Sequence, residues 1–167
     1  MKFNFSWIHP DTEIKIDLKG KGIFATNKIK KGQRLIVFGG YVLETASFDA
    51  LSNDMKFFPF QIDEDLYFGL TSLSEVENAD YLNHSCDPTC GFTGEITVST
   101  MRDIEIGEEI TIDYAMCADN IRAVDLLCLC GSSICRGYIK ADDWKNLELQ
   151  EKYKGFFQPY LAKKILY

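Results

Sequence analysis

The chain is 167 residues long, enough for one domain with a substantial core and too few for two comfortable ones. With 25 acidic against 18 basic side chains its formal net charge is −7, which argues against direct nucleic-acid binding and suits a basic partner such as a lysine-rich peptide. No stretch approaches the roughly 20 apolar residues of a membrane span, and no N-terminal segment has the charged start, apolar run and small-residue cleavage site of a secretory signal, so an intracellular protein without membrane contact is expected.

In chain order the pattern is strand-rich and punctuated by turns. Ile14-Lys15-Ile16 alternates as a half-buried strand, and Gly20-Lys21-Gly22 is expected to turn the chain into a second extended run at Ile23-Phe24-Ala25. Lys30-Lys31-Gly32 predicts another turn, followed by a strand over 34–38 that stops at Gly39-Gly40. Residues 44–56 suit a short, weakly amphipathic helix. Two apolar runs, 57–62 and 66–70, flank Asp63-Glu64-Asp65 as a hairpin. Strands are expected over 95–100 and 109–114, with Ile106-Gly107-Glu108 turning into the second. Beyond residue 135, Leu147, Tyr153, Phe157 and Leu161 take helical spacing broken by Gly155 and Pro159, so two short helices are expected there. The fold class that follows is mainly β with short helices (α+β).

Six cysteines could form disulfides in an oxidising compartment, but inside the cell thiols and metal ligands are the commoner use. Cys128, Cys130 and Cys135 fall in one short loop, and Cys86 lies about 40 residues earlier. Four thiolates close a tetrahedral zinc site and leave no position for water, so the metal expected at these four residues is structural. Cys90 and Cys117 are expected to be buried free thiols.

Four blocks then carry a resemblance. They are Lys19-Gly20-Lys21-Gly22-Ile23-Phe24-Ala25 with the following Ile29-Lys30-Lys31-Gly32-Gln33; Tyr81-Leu82-Asn83-His84-Ser85-Cys86-Asp87-Pro88; Ile106-Gly107-Glu108-Glu109-Ile110-Thr111-Ile112-Asp113-Tyr114; and the cysteine-rich run from Cys128 to Gly137. In this order they resemble the G-x-G, N-H-S-C-x-P, G-E-E-L-T-x-D-Y and post-SET blocks of SET-domain protein lysine methyltransferases, over residues 19–138. The resemblance implies a β-clip fold of small curved sheets. Knot-like threading would bring Asn83-His84 beside Tyr114, ahead of a C-terminal zinc loop and short helices. It divides the chain into a SET domain over 1–116, a post-SET zinc-binding loop over 117–140 and a C-terminal helical extension over 141–167.

By the same resemblance the cofactor is S-adenosyl-L-methionine, held by Lys21, Gly22, Ile23, Tyr81, Asn83 and His84, with Ile139 lying over it. An asparagine side chain offers two donors and an acceptor for the amino-acid end of such a molecule. Tyr114 matches the catalytic tyrosine, and Phe58, Ile112 and Tyr138 are candidate walls of the substrate channel. Methyl transfer to an amine is an in-line displacement, in which alignment carries much of the work. The lysine arrives protonated; an aromatic channel and a nearby sulfonium both favour its neutral form, so no dedicated base is expected.

Some positions depart from the family pattern. Asp80 stands where many relatives carry Arg, Thr89 replaces a common Asn, and Phe58 occupies the place of a second channel Tyr. Ile112 stands where relatives carry an aromatic residue that limits methylation, which leaves room for di- or trimethylation. The function implied is methylation of lysine in a protein or peptide, with a histone tail favoured. Methylation of a non-histone protein, a SET-like module that binds without turnover, and a zinc-stabilised scaffold without a cofactor site are the alternatives.

Overall fold

The computed structural model describes residues 4–17, 20–117 and 126–166. Its strands are β1 (Trp7–Ile8), β2 (Thr12–Asp17), β3 (Gly20–Ala25), β4 (Arg34–Val37) and β5 (Tyr41–Glu44), followed by helix α1 (Thr45–Asp49). Then come β6 (Phe60–Gln61), β7 (Leu66–Gly69), β8 (Asn83–His84), β9 (Cys90–Phe92), β10 (Thr97–Thr100) and β11 (Glu109–Ile112). A short ribbon, β12 (Leu126–Leu127) and β13 (Tyr138–Ile139), precedes α2 (Leu147–Lys152) and α3 (Pro159–Ile165). The protein is therefore mainly β with short helices, and no described helix is long and apolar enough to cross a membrane.

One sheet runs in the order β1-β4-β10-β9-β11-β3-β2, with β8 also paired to β11; β5-β7-β6 form a second sheet and β12-β13 a third. β11 holds the centre. It is antiparallel to β3 but parallel to both β8 and β9. Its last three residues, Ile110, Thr111 and Ile112, are buried, as expected of a strand covered on both faces.

The core under this sheet joins Ile23, Leu35, Val98 and Ile110 to Leu149, Tyr153, Phe157 and Leu161 from the C-terminal segment. The two short helices after residue 135 thus share one core with the strands. Asn146 caps α2 by accepting from the Glu148 amide (2.8 Å), and Pro159 opens α3 at its first turn, where a missing N–H costs nothing. A smaller cluster of Leu43, Phe48 and Tyr67 lies under the second sheet, with the Phe48 and Tyr67 rings stacked 4.0 Å apart.

Three sequence expectations change. Gly20-Lys21-Gly22 is not a turn but the start of β3, with Gly20 already paired to Asp17 of β2. The helix expected over 44–56 shrinks to α1 and a separate 3-10 turn at Met55–Phe57. Tyr41–Glu44 instead pairs with β7, and Ser52-Asn53-Asp54 favour turn over helix. The strand expected over 109–114 stops at Ile112, because the Asp113 carboxylate accepts from the Ala115 amide (3.0 Å) and starts a 3-10 turn at Tyr114–Met116. Part of the expected zinc loop, residues 118–125, lies outside the described residues.

Candidate active site

Parallel pairing sets Thr111 opposite Asn83 and Ile112 opposite His84. The chain then turns at Asp113, so Tyr114 meets the His84 ring at 5.2 Å between centroids and donates its backbone N–H to His84 Nδ1 (3.2 Å). With Nδ1 an acceptor, Nε2 carries the hydrogen, and it faces the Cys86 sulfur at 3.4 Å. Burial lowers the His84 pKa to about 4 against the opposing pull of Asp113, so the imidazole is neutral at pH 7. His84, expected beside the cofactor, thus turns both ring nitrogens to the protein and braces Tyr114 against the first cysteine.

Asn83 points the other way. Its Nδ2 donates to the Lys21 carbonyl and to Glu109 Oε1, both at 2.9 Å. A Cβ on Gly22 would lie 2.7 Å from Glu109 Oε1 and 2.9 Å from Asn83 Nδ2, so these two side chains close directly over the glycine and a larger residue would push them aside. Lys21 Nζ donates to the Tyr81 hydroxyl (3.0 Å) and lies over the Tyr81 ring at 4.6 Å. Ile23 is fully buried between Ile14 and Ile110 and supports the Gly22 contact from the core rather than facing it. Ile139, 5% exposed, packs with Cys86 and Cys128 against Tyr114. Sequence reasoning did not single out Glu109; the signal was its carboxylate on an inner strand in register with Phe24, two residues past Gly22.

A cavity of about 390 Å³ opens beside Tyr114. Ile112 and Phe58 line it, and Phe60, in edge contact with Phe38 (5.3 Å) and tilted on Phe92 (5.5 Å), gives it an aromatic wall. Tyr138 is not among its walls. It is half exposed on β13 opposite Leu127, and Leu126 is the ribbon residue that reaches the cavity. The buried Tyr114 hydroxyl donates to the Leu82 carbonyl (3.4 Å), and burial raises its pKa, so it stays protonated. Asp80 also lines the cavity. Its carboxylate accepts from the Glu77 amide (2.7 Å), and burial pushes its pKa up to about 6.

The ligand sulfurs of Cys86, Cys128, Cys130 and Cys135 all lie within 4.8 Å of one another. Cys86 and Cys128 are 3.8 Å apart, and tetrahedral Zn–S bonds of about 2.3 Å set sulfurs at about that spacing. The Arg136 amide donates to the Cys86 sulfur (3.3 Å) and the Gly137 amide to that of Cys135 (3.4 Å), contacts that favour thiolates. Burial raises the Cys86 and Cys128 thiols. It also opposes ionisation of Cys130, but backbone donors and neighbouring thiols outweigh it there and hold that pKa at about 6. The donor set and spacing fit a closed four-sulfur metal site. Cys90, by contrast, is fully buried, donates to the Thr111 carbonyl (3.1 Å) and is pushed up to about 12, as an inert core thiol. Cys117 is likewise a free thiol, partly buried at the cavity wall.

One cluster was not foreseen. Asp113, fully buried, accepts two hydrogen bonds from Arg136 (2.6 and 2.9 Å) and one from the Tyr153 hydroxyl (2.9 Å). Arg136 also reaches Asp143 (2.9 Å), and the Cys86 carbonyl accepts from Lys152 (2.9 Å). The residue before Tyr114, the residue after Cys135 and the start of the C-terminal helices are therefore tied at one point.

A β-sheet threaded through a parallel pair beside Tyr114, a glycine covered by Asn83 and a four-cysteine cluster together define a class, and the chain belongs to the SET domain family, whose model matches residues 20–115. Among known proteins it is similar to the histone-lysine N-methyltransferase ASHH2 of Arabidopsis thaliana, 33% identical over 141 residues. It is also similar to an H3 lysine-4 specific histone-lysine N-methyltransferase of Schizosaccharomyces pombe, 30% identical over 131 residues, and to the histone-lysine N-methyltransferase trithorax of Drosophila melanogaster, 28% over 134. These alignments cover 74%, 71% and 73% of this chain but only 8%, 14% and 4% of those much longer proteins.

Proposed function

We propose that this chain is a protein-lysine N-methyltransferase domain acting on a basic protein segment, with a histone tail as the favoured substrate. The observation that carries the reading is the position of Tyr114, whose ring packs on His84 next to the Gly22–Asn83 contact and which also lines the aromatic cavity. The names of the relatives and the acidic balance of the chain support a histone as substrate.

S-adenosyl-L-methionine, when bound, supplies a sulfonium methyl group. Lys21, Gly22, Ile23, Tyr81, Asn83, His84 and Ile139 are the residues proposed to hold or enclose it; the close approach of the polar Asn83 and Glu109 side chains to the Gly22 backbone supports that assignment. Tyr114, kept neutral by burial, aligns the acceptor amine through its hydroxyl. The aromatic walls exclude water and favour an uncharged amine, so proton loss to solvent suffices. Phe58 and Ile112 bound the channel. Ile112 is aliphatic and the cavity is wide, which supports room for an amine that already carries methyl groups. Cys86, Cys128, Cys130 and Cys135 are proposed to hold a structural zinc, within a post-SET loop over 117–140 followed by a helical extension over 141–167.

The test is mass spectrometry of mixed histones and a cell lysate after incubation with the protein and methyl-labelled S-adenosylmethionine, beside Tyr114→Phe. Labelled lysine that disappears with the variant is expected. Cofactor binding by calorimetry without label on any protein would instead support a module that binds without turnover.

A further inference from the structure

We propose that Lys56 is a self-methylation site of this domain, its amine reaching from within the chain into the cavity that takes the substrate lysine. The inference rests on the reading above that this cavity accepts lysine. Lys56 is the one lysine among the described residues that line it, on the same cavity as Tyr114, Ile112 and Asp80. Its backbone is fixed on the 3-10 turn Met55–Phe57, which Met55, 4% exposed, pins to the protein. Its side chain is a flexible four-carbon stem. The ammonium lies 5.9 Å from the centroid of the Phe48 ring, which is stacked in turn on Tyr67, and both rings line the cavity. Among the described residues no carboxylate forms an ion pair with it, so only the aromatic face holds it in place. An aromatic wall against which a lysine ammonium of the chain itself already rests has the chemistry an incoming lysine would meet. Rotation of the stem carries the nitrogen off Phe48 and along the cavity, with Asp80 the acidic group among the lining residues to draw it inward.

The transfer balances without a further reactant. Lys56 releases a proton to solvent, and its nitrogen lone pair attacks the methyl carbon of the sulfonium donor. A C–N bond forms as the C–S bond breaks, the bonding pair stays on sulfur as a neutral thioether, and the nitrogen becomes a methylammonium.

Residue-level mass spectrometry of the purified protein incubated with methyl-labelled S-adenosylmethionine, alone and with a histone peptide, tests this. Label at Lys56 is expected, with a first-order rate unchanged on dilution of the protein and no label in Tyr114→Phe. Peptide methylated while Lys56 stays unlabelled would overturn the inference and leave the proposed activity standing, and a rate that falls on dilution would overturn the intramolecular route. Label on neither would remove the proposed activity and this inference with it. A second measurement needs no cofactor: the Lys56 side-chain protons should show upfield ring-current shifts in NMR of the free protein, and solvent-like shifts would place the amine outside the cavity.

Discussion

Arg136 grips the carboxylate of Asp113 with its two terminal guanidinium nitrogens, at 2.6 and 2.9 Å, although 23 residues separate the two in sequence. One of them directly precedes Tyr114 and the other directly follows Cys135. The metal-binding loop and the tyrosine are thus joined by an ion pair as well as by the packing of Ile139 against Tyr114. Burial opposes charge on Asp113, and the Arg136 contact outweighs it and holds the carboxyl below its usual range.

Removing one partner of that pair leaves the other buried and unpaired. Arg136→Ala should lower unfolding free energy by about 3–5 kcal/mol. Tyr153→Phe removes one hydrogen bond to the same carboxylate and should cost about 1.5–3 kcal/mol. Urea titrations of the zinc-loaded protein check both, and losses under 1 kcal/mol for Arg136→Ala would show that the pair is not structural.

Asp80 gives a pH-dependent effect of the opposite sign to most carboxylates. Its pKa rises from 3.8 unfolded to about 6 folded. Within that window the folded chain keeps a proton the unfolded chain has lost, so stability falls as pH rises through it. Asp80→Asn keeps an acceptor for the Glu77 amide and removes the charge. Discounted for partial exposure, it should stabilise the protein by about 1–2 kcal/mol at pH 8 and by almost nothing at pH 4. An equal effect at both pH values would contradict the burial argument.

Zinc should be present at one ion per chain by elemental analysis and fall away in Cys130→Ser. Because the core of Ile23, Val98 and Ile110 lies apart from the cysteines, chelation is expected to abolish methyl transfer while much of the far-UV circular dichroism remains. Simultaneous loss of both signals would mean that the metal holds the whole fold.

Ile112→Tyr should narrow the cavity beside Tyr114 and shift the product mixture toward monomethyl-lysine. Intact-mass analysis of a peptide under excess enzyme reads this directly. If wild type itself stops at one methyl group, the room left by Ile112 has no bearing on the outcome.

The cysteine cluster was legible because three closely spaced cysteines with a fourth nearby in the family order form a metal-ligand pattern, and the Asn83-His84 and Tyr114 blocks because contiguous residues carry them. Gly22 was misread: its value lies in the space between Asn83 and Glu109, not in a turn, and a close approach leaves no mark on a one-dimensional pattern. Tyr114 looked like the end of a strand because the alternating pattern outweighed the local capping signal of Asp113, whose carboxylate accepts from the amide two residues on. Tyr153 looked like one more apolar helix position. Its hydroxyl bonds lie 40 and 67 residues away in sequence, beyond any local signal.

That same reach orders events in time. Contacts between segments so far apart close late in folding, after local hairpins such as β2–β3 have formed. While the chain is being made, the carboxylate beside Tyr114 waits for Arg136 and then for Tyr153 before its surroundings are complete. A nascent or partly refolded molecule is therefore expected to lack the ordered surroundings of Tyr114 until the segment around Tyr153 has docked.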